Sequence, residues 1–163
     1  MVEPTSLATI LRDEDVLLDS PLGTKAALLA AAAEHLGRST GVASDILLKA
    51  LTDREKLGST AIGRGTAVPH ARMDGLTTPA AVFFRLVQPI PFQASDNNPV
   101  DLVFVVVWPS DKRSGLLVTL GALSRTLRAE SLLQEIRRTS SPAKIRQLLG
   151  QSPPQATPSL PAS

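Results

Sequence analysis

The sequence contains no cysteine among its 163 residues. This absence excludes disulfide bonds, zinc sites built on thiolates and cysteine nucleophiles, and it leaves the redox environment undetermined. Aromatic residues make up only 3% of the chain, which argues against binding of nucleic acid by base stacking. No apolar run is long enough to span a bilayer, and the N-terminus lacks a basic stretch followed by an apolar core. We therefore expect a cytoplasmic protein without membrane insertion.

The composition is that of a globular protein rather than a disordered chain, because 43% of the residues are hydrophobic and 20% are charged. The length predicts a single domain over residues 1–150. The stretch 151–163 holds four prolines and no charge, so it can neither build a core nor continue a helix. We expect it to form a proline-rich mobile tail.

Charge is unevenly distributed along the chain. Residues 1–109 carry 9 Lys/Arg and 12 Asp/Glu, whereas residues 110–163 carry 8 and 3. Such a basic segment is compatible with nucleic-acid binding, but few aromatics accompany it. Four of its arginines recur at helical spacing: Arg125, Arg128, Arg137 and Arg138. We therefore predict a solvated helix face and no nucleic-acid partner.

Capping residues and apolar periodicity predict five helices. Thr24 is a typical N-cap, and the helix after it is expected to end at Gly37. A second helix is predicted between Gly41 and Gly58, with Arg54 in its final turn. Three more helices are predicted near the C-terminus: 114–128, 132–138 and 142–149.

Three segments rich in Val, Ile and Phe are predicted to be strands: 59–62, 80–86 and 101–108. Residues 103–107 are apolar without alternation. This pattern is typical of a central strand that helices cover on both faces. Trp108 at its end is predicted to pack under a helix rather than to mark a binding surface.

The segment 54–72, REKLGSTAIGRGTAVPHAR, combines residue types that can hold a phosphoryl group. His70 is a titratable imidazole, Gly63 and Gly65 permit tight turns, and Pro69 fixes the backbone that enters the histidine. Together with nearby hydroxyls and arginines, they form a possible phosphate acceptor without metal or cysteine. From these residues alone, the alternative to a phosphate acceptor is that His70 is a partly exposed loop residue without a function.

Two sequence blocks carry a resemblance to a known family: REKLGSTAIGRGTAVPH at 54–70 and PFQASDNNPVDL at 91–102. At this spacing they resemble the enzyme IIA family of the bacterial phosphoenolpyruvate-dependent phosphotransferase system, of the mannitol/fructose type. The similarity is closest to the stand-alone nitrogen-regulatory members, and it extends to about Leu149. It implies an α/β fold in which a mixed β-sheet is flanked by helices on both faces.

The same resemblance implies that His70 is transiently phosphorylated on a ring nitrogen by an HPr-like phosphocarrier protein. Arg54 matches the family arginine that steadies the phosphoryl group, and its guanidinium suits phosphate oxygens. The implied role is regulation of partners in nitrogen or carbon metabolism through the phosphorylation state, rather than metabolic turnover. Two alternatives remain open: a phosphorylation-independent regulatory binding module on the same scaffold, or a sugar-transport IIA that acts with separate IIB and IIC components.

Three further positions bear on this site. Ser59 and Thr60 either orient the imidazole or bond phosphate oxygens, or they merely satisfy backbone groups at the start of a strand. The family usually carries a second histidine after the Pro-x-Asp turn, and Leu116 occupies that position here. Leucine cannot donate a hydrogen bond, so the resemblance leaves onward phosphoryl transfer in doubt. Leu116 is either part of an apolar docking rim or an ordinary core residue.

We expect no bound cofactor and no metal. The chain has no Gly-x-x-x-x-Gly-Lys-Ser/Thr loop, and with only two histidines and no cysteine, His70 and Asp74 lack further ligands. His35 is predicted to be structural. The sequence leaves the oligomeric state open between a monomer and a weak dimer.

Overall fold

A mixed β-sheet of six strands forms the centre of the structure. The structure is a computed structural model that describes residues 6–150. The tail predicted over 151–163 lies outside the described residues. The strands are β1 (Val16–Ser20), β2 (Ala61–Gly63), β3 (Thr66–Ala67), β4 (His70–Met73), β5 (Ala80–Ile90) and β6 (Val100–Pro109).

Strand β6 lies at the middle of the sheet. It pairs antiparallel with β5 on one side and parallel with both β3 and β4 on the other, while β1 lies parallel to β5 at one edge. Phe83 of β5 stands opposite Phe104 of β6, and their rings are 4.5 Å apart between centroids. Residues 102–108 are all buried, which confirms the central strand predicted from their apolar run.

Helices cover both faces of this sheet. They are α1 (Leu7–Ile10), α2 (Lys25–Thr40), α3 (Ser44–Leu57), α4 (Arg113–Thr126), α5 (Glu130–Arg138) and α6 (Pro142–Leu149), with 3-10 turns at Asp13–Asp15 and Ser110–Lys112. The odd-numbered valines of β6 belong to the same core cluster as α2 and α3, whereas Leu102, Phe104, Val106 and Trp108 pack with the other four helices. The predicted α/β fold with helices on both faces is confirmed. Within residues 6–150, no helix has the length and apolarity needed to cross a membrane.

Gly37 does not end α2, so that prediction was wrong. The helix continues to Thr40 and ends at Gly41, which adopts φ +80°. Gly37 remains helical, and a Cβ placed on it would lie 3.2 Å from the carbonyl oxygen of Val42. Its glycine character therefore serves the close approach of the chain that enters α3. The predicted cap at Thr24 is confirmed, because its hydroxyl accepts from a backbone N–H in the first turn.

Strands β3 and β4 carry no periodic signal, because they contain two and four residues. They are extended because they pair with β6 in parallel, with Thr66 opposite Leu102 and His70 opposite Val106. The sequence indicated only a loop of unusual geometry here. His70 is instead the first residue of a strand.

Substitutions at glycines can separate the cost of a left-handed backbone from the cost of a steric clash. Gly65 and Gly75 both have positive φ, but only at Gly65 would a new Cβ meet other atoms, 2.7 Å from Nη2 of Arg137. We expect Gly75→Ala to lower the free energy of unfolding by about 1 kcal/mol and Gly65→Ala by about 2–3 kcal/mol, because the second adds a clash to the strain. Urea unfolding measures both values.

Gly23→Ala is the matched control, because a Cβ there meets no atom within 4 Å and its φ lies outside the left-handed region. Its stability should equal or slightly exceed that of the parent chain. An equal loss of stability in all three variants would contradict the roles assigned to the left-handed backbone and to the clash at Gly65.

Candidate functional site

The parallel pairing of β4 with β6 positions His70. Val106 of β6 donates its backbone N–H to the carbonyl of Pro69 at 2.9 Å, which fixes the chain just before the histidine. The His70 ring is half-buried, and its Nδ1 lies 2.8 Å from the carbonyl oxygen of Val68. The imidazole is therefore held by a backbone group two residues before it.

Two contacts define the protonation of the His70 ring. The Val68 carbonyl only accepts hydrogen bonds, so Nδ1 must carry the hydrogen. Nε of Arg54 only donates, and it lies 3.3 Å from Nε2 of the ring, so Nε2 must accept. Both contacts require the same neutral tautomer, in which Nε2 carries no hydrogen and directs its lone pair to the guanidinium of Arg54. That nitrogen is the candidate nucleophile.

The surroundings of His70 keep its ring neutral. Burial is the main cause that lowers the pKa of His70 below its ordinary value of 6.5. The hydrogen bond to the Val68 carbonyl and the charge of Glu55 act in the opposite direction, whereas Arg54 and Arg72 lower the pKa further. The net direction is downward, so Nε2 is available as a nucleophile at neutral pH.

Arg54 reaches His70 from the last turn of α3, as its predicted place in the helix suggested. Its Nη1 donates to the carbonyl oxygen of Gly58 at 2.9 Å, just beyond the end of the helix. The guanidinium is thus anchored at one nitrogen and directed to the imidazole by another. The structure brings together the two residues that the sequence had singled out as acceptor and phosphate partner.

His70 and Arg54 line an open depression of about 680 Å³, called here the His70 depression. Its other lining residues are Ala50, Asp53, Leu57, Ala71, Arg72, Leu116 and Leu117. Leu57 and Leu117 are 85% and 62% exposed and form an apolar rim. The site therefore combines a nucleophilic nitrogen, cationic side chains and an exposed apolar border.

Leu116 is 2% exposed and belongs to the core as well as to the lining of the His70 depression. Of its two readings, the structure supports the core residue, because the neighbouring Leu117 forms the exposed rim. Helix α4 packs closely on β6 at this point: a Cβ on Gly115 would lie 2.8 Å from the ring of Trp108. Trp108 is 2% exposed, which confirms its predicted packing under a helix.

Ser59 and Thr60 direct their hydroxyls to partners other than the imidazole. Ser59 Oγ donates to the carbonyl of Phe92, and Thr60 Oγ1 donates to Oε2 of Glu55 at 2.7 Å. Neither hydroxyl therefore contacts the imidazole directly, and the bond of Ser59 to a backbone carbonyl supports the structural alternative for that residue.

Gly63 and Gly65 form the turn between β2 and β3, with φ +91° and +76°. The carbonyl of Arg64 between them accepts from Nη2 of Arg137 at 2.8 Å, and Arg137 also binds both carboxylate oxygens of Asp101. Arg137 was predicted on a solvated face, but it is partly buried and fastens this turn to α5. The two glycines thus shape the segment that leads to His70.

No group of three or more acidic or histidine side chains within residues 6–150 is arranged to hold a metal ion. His35 lies 2.7 Å from the carboxylate of Asp15, which is 3% exposed and is also bound by Arg12. This buried contact agrees with the structural role predicted for His35.

Sequence reasoning missed Glu55, the residue beside Arg54. It is 8% exposed, and its carboxylate accepts hydrogen bonds from Lys25 and from both the N–H and the hydroxyl of Thr60. The sequence did contain one signal for Glu55, because a negative charge in the last turn of a helix interacts unfavourably with the helix dipole. Such a placement favours a residue with a specific partner.

Comparison with known proteins gives a consistent result. A family model described as phosphoenolpyruvate-dependent sugar phosphotransferase system, EIIA 2, matches residues 9–152. A nitrogen regulatory protein of Klebsiella oxytoca is 32% identical over 144 residues, which cover 88% of this chain and 89% of that protein. A PTS system fructose-specific EIIA component of Haloferax volcanii is 30% identical over 153 residues, covering 92% and 98%.

A solved structure shares the fold. The crystal structure of nitrogen regulatory protein IIA-Ntr from Neisseria meningitidis matches with a TM-score of 0.85 and 31% identity, covering 88% of this chain and 98% of that one.

The burial of His70 predicts its titration. We expect the ring to titrate with a midpoint below 6.5, as measured by NMR of the histidine ring signals. Because the unfolded chain binds this proton more tightly, the free energy of unfolding should fall as the pH drops from about 6.5 toward the folded-state pKa. His70→Gln should remove that contribution to the pH dependence. A midpoint at or above 6.5 would contradict the arrangement.

Proposed function

Because this chain belongs to the EIIA 2 family of the phosphoenolpyruvate-dependent sugar phosphotransferase system, we propose that His70 accepts a phosphoryl group and regulates partner proteins through its phosphorylation state. The family and the nitrogen regulatory relatives support a phosphocarrier or regulatory role. The observation that carries the assignment to His70 is the position of its Nε2, which lies 3.3 Å from the guanidinium Nε of Arg54 in an open depression. We place this activity in the cytoplasm.

The proposed donor is the phosphohistidine of an HPr-like carrier. The lone pair of His70 Nε2 attacks the phosphorus atom in line, while the bond from phosphorus to the donor nitrogen breaks and leaves its electron pair on the donor ring. The donor ring carries a hydrogen on its other nitrogen, so it leaves as a neutral imidazole, and the His70 ring takes up its positive charge. The Nδ1–H remains bound to the carbonyl of Val68 throughout. The phosphoryl group therefore passes between two ring nitrogens without an added base.

Arg54 has a defined part in this step. Its contact with Nε2 is long for a hydrogen bond, so an incoming phosphoryl group displaces it at little cost. Nε and Nη2 then donate to phosphoryl oxygens, and Nη1 keeps its anchor on the carbonyl of Gly58. Positive charge at the site favours a group that carries close to two negative charges.

We propose that the apolar rim of Leu57 and Leu117 receives the carrier protein. Exposed leucines that line the same depression as the reactive nitrogen bury apolar area when a partner brings its phosphohistidine into it. They contact the partner rather than the phosphoryl group. Their contribution is to binding of the donor.

Two observations bear on what happens after phosphorylation. Leu116 supplies no hydrogen bond or proton in the lining of the depression, which favours a regulatory form over rapid onward transfer. The similarity to a fructose-specific EIIA component favours the second candidate, a sugar-transport IIA that acts with separate IIB and IIC components. Loss of the phosphoryl group from phosphorylated protein to a purified IIB domain would support this second candidate.

The acceptor assignment is tested by intact-mass analysis. Incubation with phosphoenolpyruvate, enzyme I and an HPr-like carrier should add one acid-labile phosphoryl group, because Nε2 is a neutral nucleophile. His70→Ala should take up none, and His35→Ala, which alters the other histidine, should behave like the parent chain. Unmodified parent protein with several carriers would instead leave a phosphorylation-independent binding module.

The role of Arg54 is tested by the rate of phosphoryl transfer. We expect Arg54→Met to lower the rate by about 100- to 1,000-fold, the scale for loss of a charged or hydrogen-bonding group that stabilises a transition state. Arg54→Lys should be intermediate, because it keeps the charge but loses the planar fork. Arg38→Gln, at an exposed arginine of α2, is the control. Equal rates in Arg54→Met and the control would exclude this role.

The rim predicts a change in donor affinity. Leu117→Asp should raise the carrier concentration needed for half-maximal rate by about tenfold, which corresponds to about 1.4 kcal/mol of lost apolar contact. The maximal rate should change little. Ile46→Asp on α3 is a matched control, because Ile46 is 55% exposed but does not line the depression. The same increase in both variants would argue against a specific docking role.

A further inference from the structure

Glu55 stands at one end of a chain of hydrogen bonds that leads to the catalytic imidazole. Its Oε1 accepts from Nζ of Lys25 at 2.8 Å and from the backbone N–H of Thr60 at 3.0 Å. Its Oε2 accepts from the hydroxyl of Thr60 at 2.7 Å. The buried carboxylate thus holds Thr60 by two atoms and has its own charge balanced by Lys25.

The chain of hydrogen bonds continues through the backbones of two residues. The carbonyl of Thr60 accepts from the N–H of Val68 at 3.0 Å, and the carbonyl of Val68 accepts from Nδ1 of His70 at 2.8 Å. Val68 is 4% exposed, so its carbonyl is directed to the imidazole from a buried position. Thr60 therefore helps to hold Val68 in place, together with the pairing of the neighbouring residues Ala67 and Pro69 with β6.

We propose that Glu55 is a positioning residue that, through Thr60 and Val68, holds the His70 ring in the Nδ1–H tautomer with Nε2 facing the depression; this inference rests on the proposed function. A ring that carries its hydrogen on Nε2 has no lone pair there and cannot attack phosphorus. Release of Thr60 frees the Val68 carbonyl, and the ring is then free to rotate or exchange tautomers.

The surroundings of Glu55 explain why its side chain stays in place. Nζ of Lys25 lies 4.4 Å from the centroid of the Phe92 ring, and the carbonyl of Phe92 accepts from Ser59, the residue before Thr60. Lys25 is therefore held by a carboxylate and an aromatic face together. The two sequence blocks that carry the family resemblance meet at this point, because Phe92 belongs to the second block.

The test compares Glu55→Ala with the parent chain by two measurements. NMR of ¹⁵N-labelled imidazole rings reports the tautomer of His70, and intact-mass kinetics report phosphorylation by the carrier. We expect a mixture of tautomers and a phosphorylation rate lower by about 10- to 100-fold, the scale for a misplaced reacting group. Glu55→Gln should restore most of the rate, because its amide still offers an oxygen to the Thr60 N–H and a donor to the hydroxyl.

Asp15→Ala is the matched control. Asp15 is another buried carboxylate, 3% exposed, and it accepts from Arg12 and contacts His35 rather than Thr60. It should lower stability but leave the tautomer and the rate unchanged. Where Glu55→Ala does not fold, Thr60→Val removes only the hydroxyl bond and should shift both readouts in the same direction by a smaller amount.

The outcomes separate this inference from the proposed function. A folded Glu55→Ala or Thr60→Val variant with a single tautomer and the parent rate would overturn it, as would equal losses in Asp15→Ala. If the parent chain takes up no phosphoryl group, the proposed function fails, and a parent tautomer that persists in Glu55→Ala overturns the positioning role as well.

Discussion

The site depends on the parallel pairing of β4 with β6. Strand β6 is buried on both faces, so its backbone groups have no access to water and must be paired within the sheet. Pairing with Pro69 and His70 satisfies Val106 and fixes the histidine at the carboxyl end of the central strand. Helix α3 packs on the face of the odd-numbered valines of β6, and its last turn brings Arg54 to the ring. A buried strand thus determines the geometry of a surface site.

The same cations serve two stages of the proposed transfer. Before transfer, the charges of Arg54 and Arg72 reinforce burial in lowering the pKa of His70, which keeps Nε2 unprotonated. After transfer, positive charge beside the ring balances the phosphoryl group. A guanidinium beside the ring disfavours protonation of the imidazole, because both groups would then be positively charged. It favours phosphorylation, because the phosphoryl group brings negative charge.

The sequence by itself determined the parts of the molecule whose signals are local. The apolar run at 103–107 predicted the central strand, and capping and periodicity located α3 and α6. The glycines and the imidazole around His70 indicated a candidate phosphate acceptor, because these residue types carry chemical information in the chain itself, and the family resemblance added Arg54. The family resemblance rested on these same residues, and the family is now established.

The tertiary structure alone decided the features that depend on residues far apart in the chain. Strands β3 and β4 are too short for a pattern and exist because β6 pairs with them. Gly37 was predicted to end a helix, but it lies inside α2, where the chain that enters α3 passes too close for a side chain. The tautomer of His70 and the burial of Glu55 follow from contacts with Val68, Arg54, Thr60 and Lys25. A hydrogen bond has a direction in space, and the sequence does not specify that direction until the sheet and helices have packed.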